Sequence, residues 1–108
     1  MNRMSSMTLT ELEQIIRNRK DHPNAKSYTA QLFASGINKI AQKVGEEATE
    51  VVVASLAQTR TDQINELADL FYHTLVLMAQ LDLTLDDVGE ELSRRHNETS
   101  HSPIDTSS

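Results

Sequence analysis

An all-α fold is predicted by three features of this 108-residue sequence. Apolar residues recur at helical spacing through two long stretches. Residues that cap helices stand directly before the helical stretches. Aromatic residues are scarce, with two Phe, two Tyr and no Trp, so a core must be built from Leu, Ile, Val and Ala, which favours packed helices over a β-sandwich. The expected architecture is a helical hairpin of two long helices plus short flanking helices, a four-helix-bundle-like core completed by dimerisation. A chain of this size holds one core. We therefore expect a single domain over 1–96 and a polar, Ser- and Thr-rich disordered tail over 97–108.

The first helix is predicted to begin at Thr8, whose side chain can cap free N–H groups while Glu11, three residues on, completes a capping box. It carries Leu12, Ile15 and Ile16. Its apolar pattern dissolves into a charged stretch from Arg17 to Asn24 that contains Pro23 and reads as a loop. Ser27-Tyr28-Thr29 then precedes a short helical piece, Ala30 to Ser35, which Gly36 ends by adopting the left-handed conformation. From Ile37 to about Gln58, Ile37, Ile40, Ala41, Val44, Ala48, Val51, Val52 and Ser55 follow helical spacing. Thr59-Arg60-Thr61-Asp62 is a turn with a new cap, and Ile64, Leu67, Phe71, Leu75 and Met78 mark the second long helix, ending near Leu81. Thr84 and Asp87 cap a last helix that runs through Val88 and Leu92 to about His96.

Both long helices carry apolar residues beyond one stripe, notably Val52, Val53 and Leu56 in the first and Leu75, Val76 and Leu77 in the second. The short helices are too few to cover them, so a second copy of the chain is the expected cover.

Composition narrows the function. A formal charge of −6 argues against a general nucleic-acid or anionic-membrane binder, since both need a positive field. No apolar run approaches the roughly 20 residues of a membrane span, and Met1 to Met7 lack a secretory signal core, so the cytoplasm is expected. Without Cys, any metal must be held by oxygen or nitrogen.

On a helical wheel the stripe of the first long helix centres on Val44, Ala48, Val51 and Ser55. Glu47 then falls about 60° from Val44 and Glu50 about 120° away on the same side, with Glu46 further round and Lys39 and Lys43 on that flank. In the next helix Glu66, Asp69 and His73 share one flank of the stripe formed by Leu67, Phe71, Thr74 and Met78. Glu47 and Glu50 are three residues apart, as are Glu66 and Asp69, so each pair projects from neighbouring turns. Four carboxylates meeting beside an apolar core repel one another unless a cation is present. Hard oxygens without thiolate select Mg²⁺ or Mn²⁺.

A plainer reading is a solvated acidic face with Lys43 and Glu47 as an i,i+4 pair. The like-charge pair Glu46–Glu50, and the closeness of Glu47 to the core boundary, speak against it. His73 is either a hydrogen-bonded neighbour of Asp69 or a further ligand, and is counted with the candidate substrate contacts. Lys39 and Lys43 either moderate the helix charge or meet phosphate oxygens. Ser27, Tyr28 and Thr29 are either a cap and a core aromatic or substrate contacts. No Gly-rich phosphate loop and no Ser/His/Asp arrangement is present, which leaves metal-assisted hydrolysis open.

Three runs carry a family resemblance: Ser27-Tyr28-Thr29-Ala30-Gln31-Leu32-Phe33, Lys39-Ile40-Ala41-Gln42-Lys43-Val44-Gly45-Glu46-Glu47-Ala48-Thr49-Glu50, and Glu66-Leu67-Ala68-Asp69-Leu70-Phe71-Tyr72-His73. From about Leu9 to His96 the chain resembles phosphoribosyl-ATP pyrophosphohydrolase of the all-α nucleoside-triphosphate pyrophosphohydrolase superfamily. That resemblance implies Mg²⁺-dependent hydrolysis of phosphoribosyl-ATP to phosphoribosyl-AMP and pyrophosphate, the second step of histidine biosynthesis, by a helical homodimer. It also implies that Glu47, Glu50, Glu66 and Asp69 hold the metal, with Glu46 as ligand or water-orienting base. The competing expectations are a housecleaning enzyme of the same superfamily that destroys other nucleotides, and a non-catalytic helical dimerisation module. Specificity for the second ribose phosphate requires a positive patch, and Arg17, Arg19, Lys20 and Lys26 are the most concentrated basic supply.

Overall fold

The computed structural model describes residues 6–98 as five helices: Leu9–Asp21 (α1), Tyr28–Ser35 (α2), Ile37–Ala57 (α3), Arg60–Gln80 (α4) and Leu85–Asn97 (α5). No strand occurs among the described residues, in agreement with the expected all-α class. The caps explain where four helices start. Thr8 with Glu11, Thr59 with Asp62 and Thr84 with Asp87 form capping boxes, and the Ser27 hydroxyl accepts the Ala30 N–H at 3.2 Å. Gly36 joins α2 to α3 without any further linker. Its φ of +92° is open to glycine and strained for other residues, and with ψ at 175° it is not the left-handed helical conformation expected there.

Helix α3 pairs with α4 as the predicted hairpin, each with 21 residues and hence about 31 Å long. Helices α1 and α2 pack across it. The core joins Ile16 of α1, Leu32 of α2, Ile40 of α3 and Leu75, Val76 and Ala79 of α4, with Leu12, Phe33, Tyr72 and Met78 against its edge. Helix α5 buries no residue. It is tethered through its first turn, where the Leu85 N–H donates to Glu13 Oε2 at 2.7 Å.

Helix α2 begins at Tyr28, two residues before the expected Ala30, and four further expectations differ from the structure. First, α1 continues to Asp21 instead of dissolving after Ile16. Arg17 donates to the Leu83 carbonyl at 3.0 Å, and the Lys20 ammonium reaches the Ala79 carbonyl at 2.8 Å and Asp82 at 3.4 Å. These cations close the carbonyl-rich end of α4 and the turn behind it, where a helix dipole favours positive charge. Second, the stripe of α3 is rotated: Ile40, Glu47 and Ala54 are its buried residues, while Ser55 faces solvent. Third, α4 buries His73, Leu75, Val76 and Ala79, whereas Leu67 and Phe71 of the expected stripe are exposed. Fourth, Val76 belongs to the core of its own chain and not to an uncovered face.

The other exposed apolar residues stand as expected, with Val52 57%, Val53 49% and Leu56 82% accessible. Asn97 is the last residue of α5, one step into the segment expected to be a tail, and 99–108 lie outside the described residues.

Candidate functional site

The rotation of α3 decides the site. Steps of seven residues return a side chain almost to the same face of a helix, so Ile40, Glu47 and Ala54 form one track against α4. Two members of that track are ordinary core residues. The third is a carboxylate with only 6% of its surface accessible. A buried carboxylate requires compensation. Among the described residues Glu47 has one cation, the Lys43 ammonium, at 3.6 Å, and this is shared with Glu46 at 3.5 Å.

Opposite this track, α4 presents Glu66 and Asp69 one turn apart. Oxygens of Glu47, Glu66 and Asp69 all lie within 4.8 Å of one another, joining a buried, a half-buried and an exposed carboxylate. Three like charges have converged against a single lysine. The donor set fits a hard divalent cation, because opposite oxygens on an ion bound at about 2.1 Å are about 4.2 Å apart. The spread of the cluster is thus one ion wide to within a small side-chain movement. Glu50 is not within this triad but feels it: the charges of Glu47 and then Glu66, with partial desolvation, hold its carboxyl above its ordinary value.

The remaining predicted residues fall around the triad. Glu46 is exposed on the flank of α3, where the Gln42 amide donates to it at 2.8 Å; that bond and Lys43 hold its carboxyl below the ordinary value. Desolvation works against the charged form of Lys43, but the fields of Tyr28, Glu46 and Glu47 outweigh it and raise the ammonium above its ordinary value. Lys39 is exposed, within electrostatic reach of Glu46.

His73 is bound to Asp69 through the backbone and not the carboxylate. Its Nδ1 lies 2.8 Å from the Asp69 carbonyl oxygen, which can only accept, so Nδ1 carries hydrogen. In the neutral ring Nε2 is then the acceptor of the Tyr28 hydroxyl at 3.2 Å. The ring is 5% accessible and stands edge-on to Tyr72, with centroids 4.9 Å apart, and to Tyr28 at 6.1 Å. Thr29 is hydrogen-bonded to the Tyr72 hydroxyl. Burial pushes the Tyr72 hydroxyl up.

Tyr28 with His73, and Thr29 with Tyr72, fasten the start of α2 to the turn of α4 that bears Asp69, while Ser27 caps α2 and makes no side-chain hydrogen bond to α4 among the described residues. Tyr72 and Gln42 join the candidate site without a role expected from sequence. The signal for Tyr72 was its place beside His73, and for Gln42 its i,i+4 spacing to Glu46.

A model of the family described as phosphoribosyl-ATP pyrophosphohydrolase matches residues 9–96. The chain is 50% identical over 92 residues to phosphoribosyl-ATP pyrophosphatase of Pyrobaculum islandicum, covering 85% of this chain and 98% of the relative. It is 47% identical over 88 residues to the protein of the same name from Clostridium acetobutylicum, covering 82% and 80% of the two chains. A histidine biosynthesis bifunctional protein of Oceanobacillus iheyensis is 48% identical over 83 residues, which are 77% of this chain and 39% of that protein. All three motif runs lie inside the matched span, on the helices that form the acidic cluster and its surroundings, and the chain belongs to the phosphoribosyl-ATP pyrophosphohydrolase family.

Proposed function

We propose that this chain hydrolyses phosphoribosyl-ATP to phosphoribosyl-AMP and pyrophosphate in histidine biosynthesis, as a cytoplasmic homodimer activated by Mg²⁺, with Mn²⁺ as a substitute. The observation that carries the reading is the convergence of Glu47, Glu66 and Asp69 from adjacent helices to within 4.8 Å. The names of the relatives, phosphoribosyl-ATP pyrophosphatase, supply the substrate.

In this reading Glu47, Glu66 and Asp69 hold the cation, with Glu50 beside them. Bound there, a hard divalent cation supplies charge neutralisation for the triphosphate and acidification of the attacking water. Glu46, held ionised by Gln42 and Lys43, is suited to orient that water and take its proton. As the anhydride breaks, negative charge grows on the departing pyrophosphate. Lys43, whose ammonium is stabilised by its neighbours, and the exposed Lys39 are suited to receive that charge. Ser27, Tyr28, Thr29 and His73 shape the adjoining wall. The Tyr28–His73 hydrogen bond keeps the α2 end of that wall in register with Asp69.

Dimerisation is supported by α5, which buries nothing of its own, and by an apolar groove lined by Leu9, Phe71, Leu75, Met78, Leu85 and Val88. Among the described residues no helix is long and apolar enough to cross a membrane. The test is identification of the products from phosphoribosyl-ATP with Mg²⁺ and with excess chelator, alongside the solution mass by light scattering. Phosphoribosyl-AMP and pyrophosphate are expected only with the cation. Absence of both products at saturating Mg²⁺ rules the reading out.

A further inference from the structure

The chain carries ten Lys and Arg against sixteen Asp and Glu, so the few cations without a carboxylate partner are informative. Among the described residues Lys20, Lys43, Arg94 and Arg95 form ion pairs, and Arg17 is taken up by the Leu83 carbonyl. Arg19, Lys26, Lys39 and Arg60 form none. Two of these four line the same open depression: Arg19 and Lys26, together with His22, Asn24 and Ser27.

The backbone there is organised. Asn24 Oδ1 accepts the Lys26 N–H at 2.9 Å and the Asn24 carbonyl accepts the Ser27 N–H at 2.8 Å, which folds the α1–α2 connection into a tight turn. Among the described residues no carboxylate lines the depression. Arg19 donates within its own helix to Asn18 Oδ1 at 3.1 Å, and neither it nor Lys26 has a carboxylate partner among the described residues. Two cations free of carboxylates, with hydrogen-bonding neighbours, are the chemistry that holds a phosphate monoester.

We propose that this depression is a phosphate-monoester subsite that receives the phosphate of the substrate's phosphoribosyl group; this rests on the function proposed above. That phosphate is carried by one ribose attached to the base, and the triphosphate by the other ribose, so its subsite must be separate from the acidic cluster. The depression is separate, yet connected. Its Ser27 precedes Tyr28, whose hydroxyl is 3.2 Å from His73 Nε2, and His73 Nδ1 is 2.8 Å from the carbonyl of Asp69. Of the four basic residues the sequence offered for this task, Arg17 and Lys20 are occupied in holding α1 to the end of α4, and Arg19 and Lys26 remain.

The test is the double variant R19Q/K26Q, with R60Q as a charge-matched control at an unrelated exposed cation. Loss of two charge-assisted contacts should lower kcat/KM for phosphoribosyl-ATP by about tenfold or more relative to kcat/KM for ATP, chiefly through KM, while R60Q leaves the ratio unchanged. An unchanged ratio in a double variant of normal helicity overturns the proposal, as does an equal loss on both substrates.

A second measurement is independent of turnover. Ribose 5-phosphate should shift the backbone amide resonances of His22 and of residues 24–27 in the wild type and not in the double variant, and no shift in the wild type overturns the subsite. Inorganic phosphate separates the sources of the anion. Competition with phosphoribosyl-ATP that disappears in the double variant supports a substrate subsite, whereas a phosphate effect on ATP turnover through these residues makes it a site for free anion and overturns the assignment. Failure of the wild type to hydrolyse phosphoribosyl-ATP refutes the proposed function, and the ribose 5-phosphate titration still decides the subsite.

Discussion

Glu66→Gln separates a metal-binding cluster from an acidic surface, because only the cluster predicts that the variant's response to Mg²⁺ is diminished. Glu66 lies within 4.8 Å of both Glu47 and Asp69, so the substitution removes two like-charge contacts while keeping the side chain's size. At that distance each repulsion is about 3.5 kcal/mol at an effective dielectric of 20 and about 0.9 kcal/mol in bulk water. Asp69 is exposed and Glu66 half-buried, and both side chains can swing apart without the cation, which moves the value toward the water limit.

A net relief of about 1 kcal/mol raises the Tm of the metal-free protein by about 4–8 °C for a domain of this size. With Mg²⁺ the sign reverses. Loss of one of three converging carboxylates should weaken the cation at least about tenfold, which removes about 1.4 kcal/mol of ligand-linked stabilisation at saturation. The assay is a thermal melt by circular dichroism of wild type and variant, in chelator and across a Mg²⁺ titration at fixed protein concentration. The expected signature is a higher metal-free Tm together with a smaller Mg²⁺-dependent rise. A lower metal-free Tm with an undiminished Mg²⁺ response would refute the reasoning.

Three further outcomes are expected. Glu50→Gln should cut turnover sharply at limiting Mg²⁺. It should also flatten the fall in metal-free stability as pH rises through the Glu50 titration, because a carboxyl whose folded value is raised binds its proton more tightly when folded; wild-type turnover at limiting Mg²⁺ argues against a role at the cluster. Ile40→Ala, at a fully buried position shared by all four packed helices, should cost about 2–5 kcal/mol in urea unfolding, and a cost below about 1 kcal/mol contradicts the assigned core. Glu91 is held by Arg94 and then Arg95 at about 2, down from 4.5, so its contribution to α5 is present above pH 4.5 and lost as pH falls toward 2. A carboxyl titration by nuclear magnetic resonance that places Glu91 at an ordinary glutamate value refutes that pairing.

Local chemistry determined most of the helix map. Thr8 with Glu11, Ser27, Thr59 with Asp62 and Thr84 with Asp87 act on N–H groups within a turn of themselves, so the starts of α1, α2, α4 and α5 were legible from adjacent residues. The length and pairing of α3 and α4 followed from apolar periodicity. The spacing of the candidate acidic residues was legible too, since spacing within each helix is a property of the chain itself.

Tertiary structure decided what distant groups alone can decide. The end of α1 depends on Arg17 and Lys20 reaching carbonyls near the end of α4, some sixty residues away, and no window along the sequence contains both partners. The face of α3 that turns inward depends on where α4 lies. A wheel weighted toward apolar residues centred on Val44, Ala48, Val51 and Ser55, whereas packing buried Ile40, Glu47 and Ala54. That rotation places a carboxylate inside and draws Glu66 and Asp69 to it, while Glu50 and Glu46, identical in chemistry, stay outside. The sequence by itself determined which residue types were available and at what spacing. Which three oxygens meet was decided by the crossing of two helices, because side-chain convergence depends on the relative rotation of the partners and not on the periodicity of either one.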